Sequence, residues 1–390
     1  MKRLFLSFIL TLNFYLAGAQ HIYPYRIFGE VKTVENQVYK GYITWGGNKI
    51  FWIDFFEASK IDNPYAHYFT PNAGVNFMVN GNLQSTPSVH NFCCRFGNIR
   101  HIRLTGENKI RLSFKNDDAI ILKKGNTGDI GLPIEINTPE EKIQLKWEYI
   151  SEITFMQADR PSVLTDSSSL FGTVKSPQGL YKGLISWNTS GRKNTEKIEN
   201  INKLLNKMQK VVRDRSFLKA VPLPGSFQHF QVINTNILYP VSNIQVNMPN
   251  NGSATIPWDK FQELTVIESG SMKLLNYEDF TIPQKIKGEV ITLNNDKICG
   301  TLAYDLDENM DFEVLDGKND NIAYRIPFKY IRSIEPKNYK YSFITLKNGN
   351  KLSLGDTCDV NQDNNGIIVF SEDNIPVYVP WSEIKIITLW

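Results

Sequence analysis

Val379-Pro380-Trp381-Ser382-Glu383-Ile384-Lys385-Ile386-Ile387 carries an aromatic residue followed by apolar residues three and six positions later. The same phrase occurs at Phe96/Ile99/Ile102, Trp147/Ile150/Ile153, Trp258/Phe261/Leu264 and Phe328/Ile331/Ile334, and closes the chain at Trp381/Ile384/Ile387. Five copies of one pattern make internal duplication the organising fact of this chain. A spacing of three fits one short helical turn between two strands, with the three apolar groups directed into one core.

A second phrase precedes three of these closings. It reads Ile27-Phe28-Gly29-Glu30-Val31 with Tyr39-Lys40-Gly41-Tyr42-Ile43-Thr44-Trp45. It returns as Leu170-Phe171-Gly172-Thr173-Val174 with Tyr181-Lys182-Gly183-Leu184-Ile185-Ser186-Trp187. The third copy is Ile286-Lys287-Gly288-Glu289-Val290 with Ile298-Cys299-Gly300-Thr301-Leu302-Ala303-Tyr304. In each, an aromatic residue follows the second glycine by four positions. Alternation at Val31/Thr33 and Ile43/Trp45 predicts paired strands with one buried face, and the glycines suit bulges or tight corners. Two further stretches, residues 102–112 and 344–354, resemble one another, and Asn348-Gly349 is a hairpin signal.

These phrases predict a mainly β chain of about five tandem small β-barrel units carrying one inserted amphipathic helix. The expected divisions are a signal peptide at 1–19, barrels at 20–104, 105–157 and 158–268, a linker at 269–284, and barrels at 285–336 and 337–390. The helix is expected near 193–214, where Ile198, Ile201, Leu204, Leu205, Met208, Val211 and Val212 fall on one face. Packing of that stripe against a neighbouring barrel is its ordinary use.

With Gly288-Glu289-Val290, Gly300-Thr301-Leu302, Ile326-Pro327-Phe328 and Ile331-Arg332-Ser333-Ile334, the module at 286–336 resembles the SH3-like and Sm-like small barrels. The resemblance extends through the repeats over most of the chain. It implies binding or scaffolding work; the RNA binding of Sm proteins is not carried over.

Met1-Lys2-Arg3, the apolar run at 4–10 and Leu16-Ala17-Gly18-Ala19 read as a secretory signal cut after Ala19. The Ala-Gly-Ala-Gln ending resembles exported proteins of the Bacteroidetes. A periplasmic or extracellular protein is therefore expected, with no transmembrane segment once the signal is removed. Loss of Lys2 and Arg3 would bring the formal charge from +3 to +1. A nearly neutral protein has no electrostatic reason to seek nucleic acid.

No Gly-x-Ser-x-Gly, His-Glu-x-x-His or phosphate-cradling glycine loop is present. The expected function is a non-enzymatic binding or structural module of the cell envelope, without a cofactor, whose partner is an envelope protein or a glycan. Trp52, Phe55, Phe56, Tyr65, Tyr68 and Phe69 are the candidate contact surface; the same rings could instead cover the open end of the first barrel. The alternative function is a calcium-dependent or hydrolytic module with its site between barrels.

Three constellations bear on that alternative. His90, Cys93, Cys94 and His101 offer zinc-type ligands, but Cys94 aligns with Leu145, Ile256, Ile326 and Val379 and so reads as core. Asp359-Val360-Asn361-Gln362-Asp363-Asn364-Asn365-Gly366 has oxygens at alternating positions, as a hard cation needs, yet its glycine is eighth, and a solvated hairpin turn is the expectation. Asp305, Asp307, Asn309 and Asp311 form a second such run. Export makes a Cys299–Cys358 disulfide chemically possible, with free thiols as the alternative.

Overall fold

A computed structural model describes residues 24–61, 63, 65, 77–79, 82–84, 91–125, 128–158, 170–189, 208–214, 217–222, 231–234, 241–267, 274–371 and 375–390. The chain is mainly β, with two large antiparallel sheets of ten and eighteen strands and a separate pair, Phe77–Val79 with Asn82–Gln84. The expected signal peptide lies outside the described residues.

The glycines of the repeated phrase face one another across their strand pairs: Gly29 opposite Gly41, Gly172 opposite Gly183, and Gly288 opposite Gly300. Close approach of a third strand explains the second glycine. A Cβ built on Gly41, Gly183 or Gly300 would lie 2.3, 2.3 or 2.0 Å from the carbonyl oxygen of Asn137, Asn247 or Phe370. No side chain fits there.

The aromatic phrase folds by two devices. A single 3₁₀ turn occupies Phe96–Asn98, Trp147–Tyr149, Phe328–Tyr330 and Trp381–Glu383. That turn places the aromatic and the first isoleucine on one side. In a plain strand the next apolar residue, three further on, would face outward. A β-bulge corrects this each time: the partner strands skip Arg100, Ser151, Arg332 and Lys385. The extra residue restores the inward phase, and Ile102, Ile153, Ile334 and Ile387 are fully buried. The Ser151 hydroxyl plugs its own bulge by donating to the carbonyls of Lys32 and Thr33.

The same four-strand frame recurs three times. Phe28–Thr33 pairs with Val38–Trp45 and Ile150–Phe155, and Val38–Trp45 pairs with Ile134–Asn137. Leu170–Ser176 pairs with Gly179–Thr189 and Glu263–Val266, and Gly179–Thr189 with Val241–Met248. Lys287–Thr292 pairs with Lys297–Tyr304 and Ile384–Leu389, and Lys297–Tyr304 with Ile367–Phe370. The first and last strands of each long repeat are thus neighbours. Pairing crosses the expected divisions at 104/105 and 336/337, so the described strands form three consecutive long repeats in place of five separate barrels.

The expected helix is also corrected where it is described. Met208–Asp214 is a strand, paired with Phe217–Pro222 and Glu263–Val266. It takes the place that Ile99–Gly106 has beside the closing strand of the first repeat. Demand for that pairing overrides the 3.6-residue stripe, and Val211 and Val212 favour a strand. Residues 193–207 lie outside the described residues.

Among the described residues two large hydrophobic cores result, beside two small clusters, and each large core crosses repeat boundaries. One joins the middle and last repeats through Leu264, Val290, Tyr324 and Ile387. The other packs Trp45, Trp52 and Phe96 of the first repeat against Phe171, Tyr277 and Phe312.

Candidate functional site

Three of the six residues expected at the aromatic surface are core. Trp52, Phe55 and Phe56 are 0%, 3% and 0% exposed. Trp52 lies 4.7 Å from the Tyr277 ring and donates its indole N–H to the Pro24 carbonyl. Phe56 packs edge-on to Trp45 and Phe96, and Phe55 lies beneath the Arg95 and Arg325 guanidinium groups. The contact-surface expectation is corrected for these three, because a fully packed ring cannot meet a partner. Tyr65 is half-buried, rests on Phe370 and shares a hydrogen bond with Asn309. Tyr68 and Phe69 lie outside the described residues.

The cysteines divide between core and surface. Cys93 and Cys94 are buried, and burial pushes both thiols up. His101 turns away to Glu152, 3.3 Å distant, while His90 lies outside the described residues. Cys94 is a core residue, as its alignment with the other repeats implies. Cys299 and Cys358 are both free, so the disulfide does not form.

The two acidic runs behave differently from expectation, because they meet. Residues 304–313 repeat the turn at 45–54 bond for bond. Trp45 N donates to Lys49 O, and Tyr304 N to Glu308 O. The Asp54 carboxylate caps the amides of Ile50 and Phe51, and Glu313 caps those of Asn309 and Met310. Trp45 Nε1 donates to the carbonyl of Asp129, and Tyr304 Oη to that of Asp359. Asp129 then accepts from Glu57 N, and Asp359 from Asp316 N. Gly46 and Gly47 have positive φ, and so do Asp305 and Leu306.

Charge is where the copies part. In the first, Lys49 Nζ lies 2.6 Å from Asp129 Oδ2 and donates to the Phe55 carbonyl. In the last, the matching residue is Glu308. Asp305, Asp307, Glu308, Glu313 and Asp359 are all buried there. The first repeat sends one ammonium into this group: Lys60 Nζ lies 2.7 Å from Glu313 and 3.1 Å from Asp307. On the far side, Asp305 Oδ1 accepts from the Asn365 backbone and side-chain amides. Asp305, Cys358 and Asp359 each offer a ligand atom, all within 4.8 Å of one another. Residues 359–366 are therefore not a solvated turn, since Asp359, Asn364 and Asn365 are buried.

Electrostatics follow from this crowding. Burial, followed by the neighbouring Asp359 carboxylate, pushes the Asp305 carboxyl well up. Burial, followed by Asp307, does the same to Glu308. Asp359 rises to about 7 through burial and the Asp316 carboxylate. Burial opposes the charge on Lys60, but Glu313 and Asp307 carry its ammonium above the ordinary range.

Sequence reading singled out Asp305, Asp307 and Asp359 but kept the two runs apart, and it passed over Lys60, Glu308 and Glu313. The missed signal was present. Lys49 and Glu308 each stand four residues after the aromatic that ends the glycine phrase, so a charge reversal is visible on aligning the copies.

No protein-family model and no curated protein matches this sequence. Among solved structures, the Helicobacter pylori beta clamp bound to a DNA ligase peptide aligns over 86% of this chain and 99% of its own. Identity is 8% and the TM-score 0.09, a likeness too slight to carry an argument about fold or function.

Proposed function

We propose that this chain is a non-enzymatic, exported binding or structural module of the cell envelope. The carrying observation is how its charged side chains are used: they tie the repeats together. Arg95, in the first repeat, donates to the carbonyls of Met248, Pro249 and Gly252 in the middle one. Glu57 pairs with Arg325, and Lys60 reaches Asp307 and Glu313. Groups committed to backbone carbonyls and buried ion pairs give rigidity, which a platform for an envelope protein or glycan requires. Near-neutral charge and the signal-like residues 1–19 support export and oppose nucleic-acid binding.

The test is fractionation of the native cells with an antibody to the protein, N-terminal sequencing, and cross-linking in intact envelopes. Export predicts a mature chain beginning at Gln20 in the envelope or medium, cross-linked to a reproducible protein or retained on envelope glycan. Recovery from the cytoplasm with residues 1–19 intact would overturn the proposal.

A further inference from the structure

We propose that the turn at 304–308 and the loop at Asp359 hold a hard divalent cation of the calcium class, ligated by carboxylate oxygens of Asp305, Glu308 and Asp359. The first repeat is the internal control. Its turn has the same hydrogen bonds, and there the ammonium of Lys49 sits 2.6 Å from Asp129, the counterpart of Asp359. The last repeat removes that cation and adds acids: Gly46 becomes Asp305, Asn48 becomes Asp307, and Lys49 becomes Glu308. A half-buried ammonium shared by Asp129 and Glu57 is thereby replaced by a group of carboxylates.

Glu308 supplies the second, independent observation. It is 8% exposed, and its Oε2 has no hydrogen-bond partner among the described residues. The carboxylates of Asp307, Asp359 and Asp305 are the acidic charges that act on it. Lys60 is bonded to Asp307 and Glu313 and attracts Glu308 through space, but gives Glu308 Oε2 no hydrogen bond. Buried carboxylates demand a counter-charge, and a divalent cation provides it where the ammonium has been lost. Carboxylate and carbonyl oxygens suit calcium, manganese or magnesium, and the larger, flexibly coordinated calcium fits an irregular loop best. The Asn365 amides hold Asp305 in place for ligation. The Cys358 thiol, 3.3 Å from Asp359 Oδ1, is the soft group that joins Asp305 and Asp359 among the described residues and makes zinc the competing ion.

The experiment is a melting curve of the full chain in chelator, calcium, magnesium and zinc, with calcium titration calorimetry of the wild type. Glu308→Lys rebuilds the arrangement of the first repeat, and Cys358→Ser removes the soft ligand. Calcium should raise the wild-type midpoint, with a shift that grows logarithmically with concentration, and should bind with a stoichiometry of one. Glu308→Lys should melt above the wild type in chelator and no longer respond to calcium, while Cys358→Ser keeps the response. No calcium binding by the wild type, or an undiminished response in Glu308→Lys, would overturn the proposal. A response to zinc alone, lost in Cys358→Ser, would overturn it in favour of a thiolate site.

Discussion

Glu57 and Arg325 join the two large sheets through two hydrogen bonds, at 2.7 and 3.3 Å. The strand that carries Arg325, Ile322–Pro327, also pairs with Gly252–Pro257 of the middle repeat. One guanidinium therefore stands where all three repeats meet, with Phe55 beneath it. Both side chains keep partial contact with solvent, so their coupling is moderate. A double-mutant cycle with Glu57→Ala and Arg325→Ala should return a coupling of about 1 kcal/mol in urea unfolding. Additive losses would show that the pair does not hold the sheets together.

Arg95 should matter more. It is buried, and its substitution removes the guanidinium from the carbonyls of Met248, Pro249 and Gly252, leaving Pro249 the Tyr330 hydroxyl and Met248 a long bond from Asn251 N. Arg95→Met keeps most of the side-chain volume and removes the donors. Its expected cost is about 3 kcal/mol, because buried acceptors lose charged hydrogen bonds at one stroke. Urea midpoints measure it; a loss below about 1 kcal/mol would mean that water replaces the guanidinium.

The glycines allow a paired comparison. An alanine Cβ at Gly300 would meet the Phe370 carbonyl oxygen at 2.0 Å, so Gly300→Ala must push two strands apart. Gly349 has φ +91°, and its Cβ would meet nothing within 4 Å. Gly349→Ala costs only its backbone conformation, about 1–2 kcal/mol. Gly300→Ala should cost about 3 kcal/mol or fail to fold, since overpacking adds to the lost strand pairing. Equal melting temperatures for the two variants would contradict the close approach.

How far the sequence carried depends on the range of the interaction. Phe96/Ile99/Ile102 and its copies announced their short helical turns because both residues concerned lie within four positions. The bulges at Arg100 and Ser151 were hidden, since a bulge is defined by the partner strand. Phe28–Thr33 meets Ile150–Phe155 across more than a hundred residues, and nothing local to either stretch signals that pairing. Trp52, Phe55 and Phe56 looked like a surface because Asp54, Glu57, Ser59 and Lys60 are interspersed with them or follow closely, whereas their neighbours in space are Tyr277, Arg95 and Trp45. The acid site suffered from the same separation. Asp305 and Asp359 are far apart in the chain, and Lys60 enters from another repeat.

Asp54 offers a pH test on a carboxyl that is not among the proposed cation ligands. It is buried, its carboxylate caps Ile50 and Phe51, and Asn247 donates to its other oxygen. Burial outweighs those hydrogen bonds and the attraction of Lys49, and raises the carboxyl from 3.8 to about 6. A folded-state value above the unfolded one means that the folded protein holds this proton more tightly. The contribution to stability is therefore complete below pH 3.8, falls as pH rises, and is lost once pH passes about 6. Over that window the loss amounts to about 3 kcal/mol. Asp54→Asn has no proton to lose, so its stability should not fall in this way. Urea midpoints of the two proteins, measured from pH 4 to pH 7, should show the wild type losing about 2 kcal/mol relative to the variant, the rest of the change lying below pH 4. Parallel profiles would mean that Asp54 is already ionised at pH 4, with Lys49 and the two backbone amides prevailing over burial.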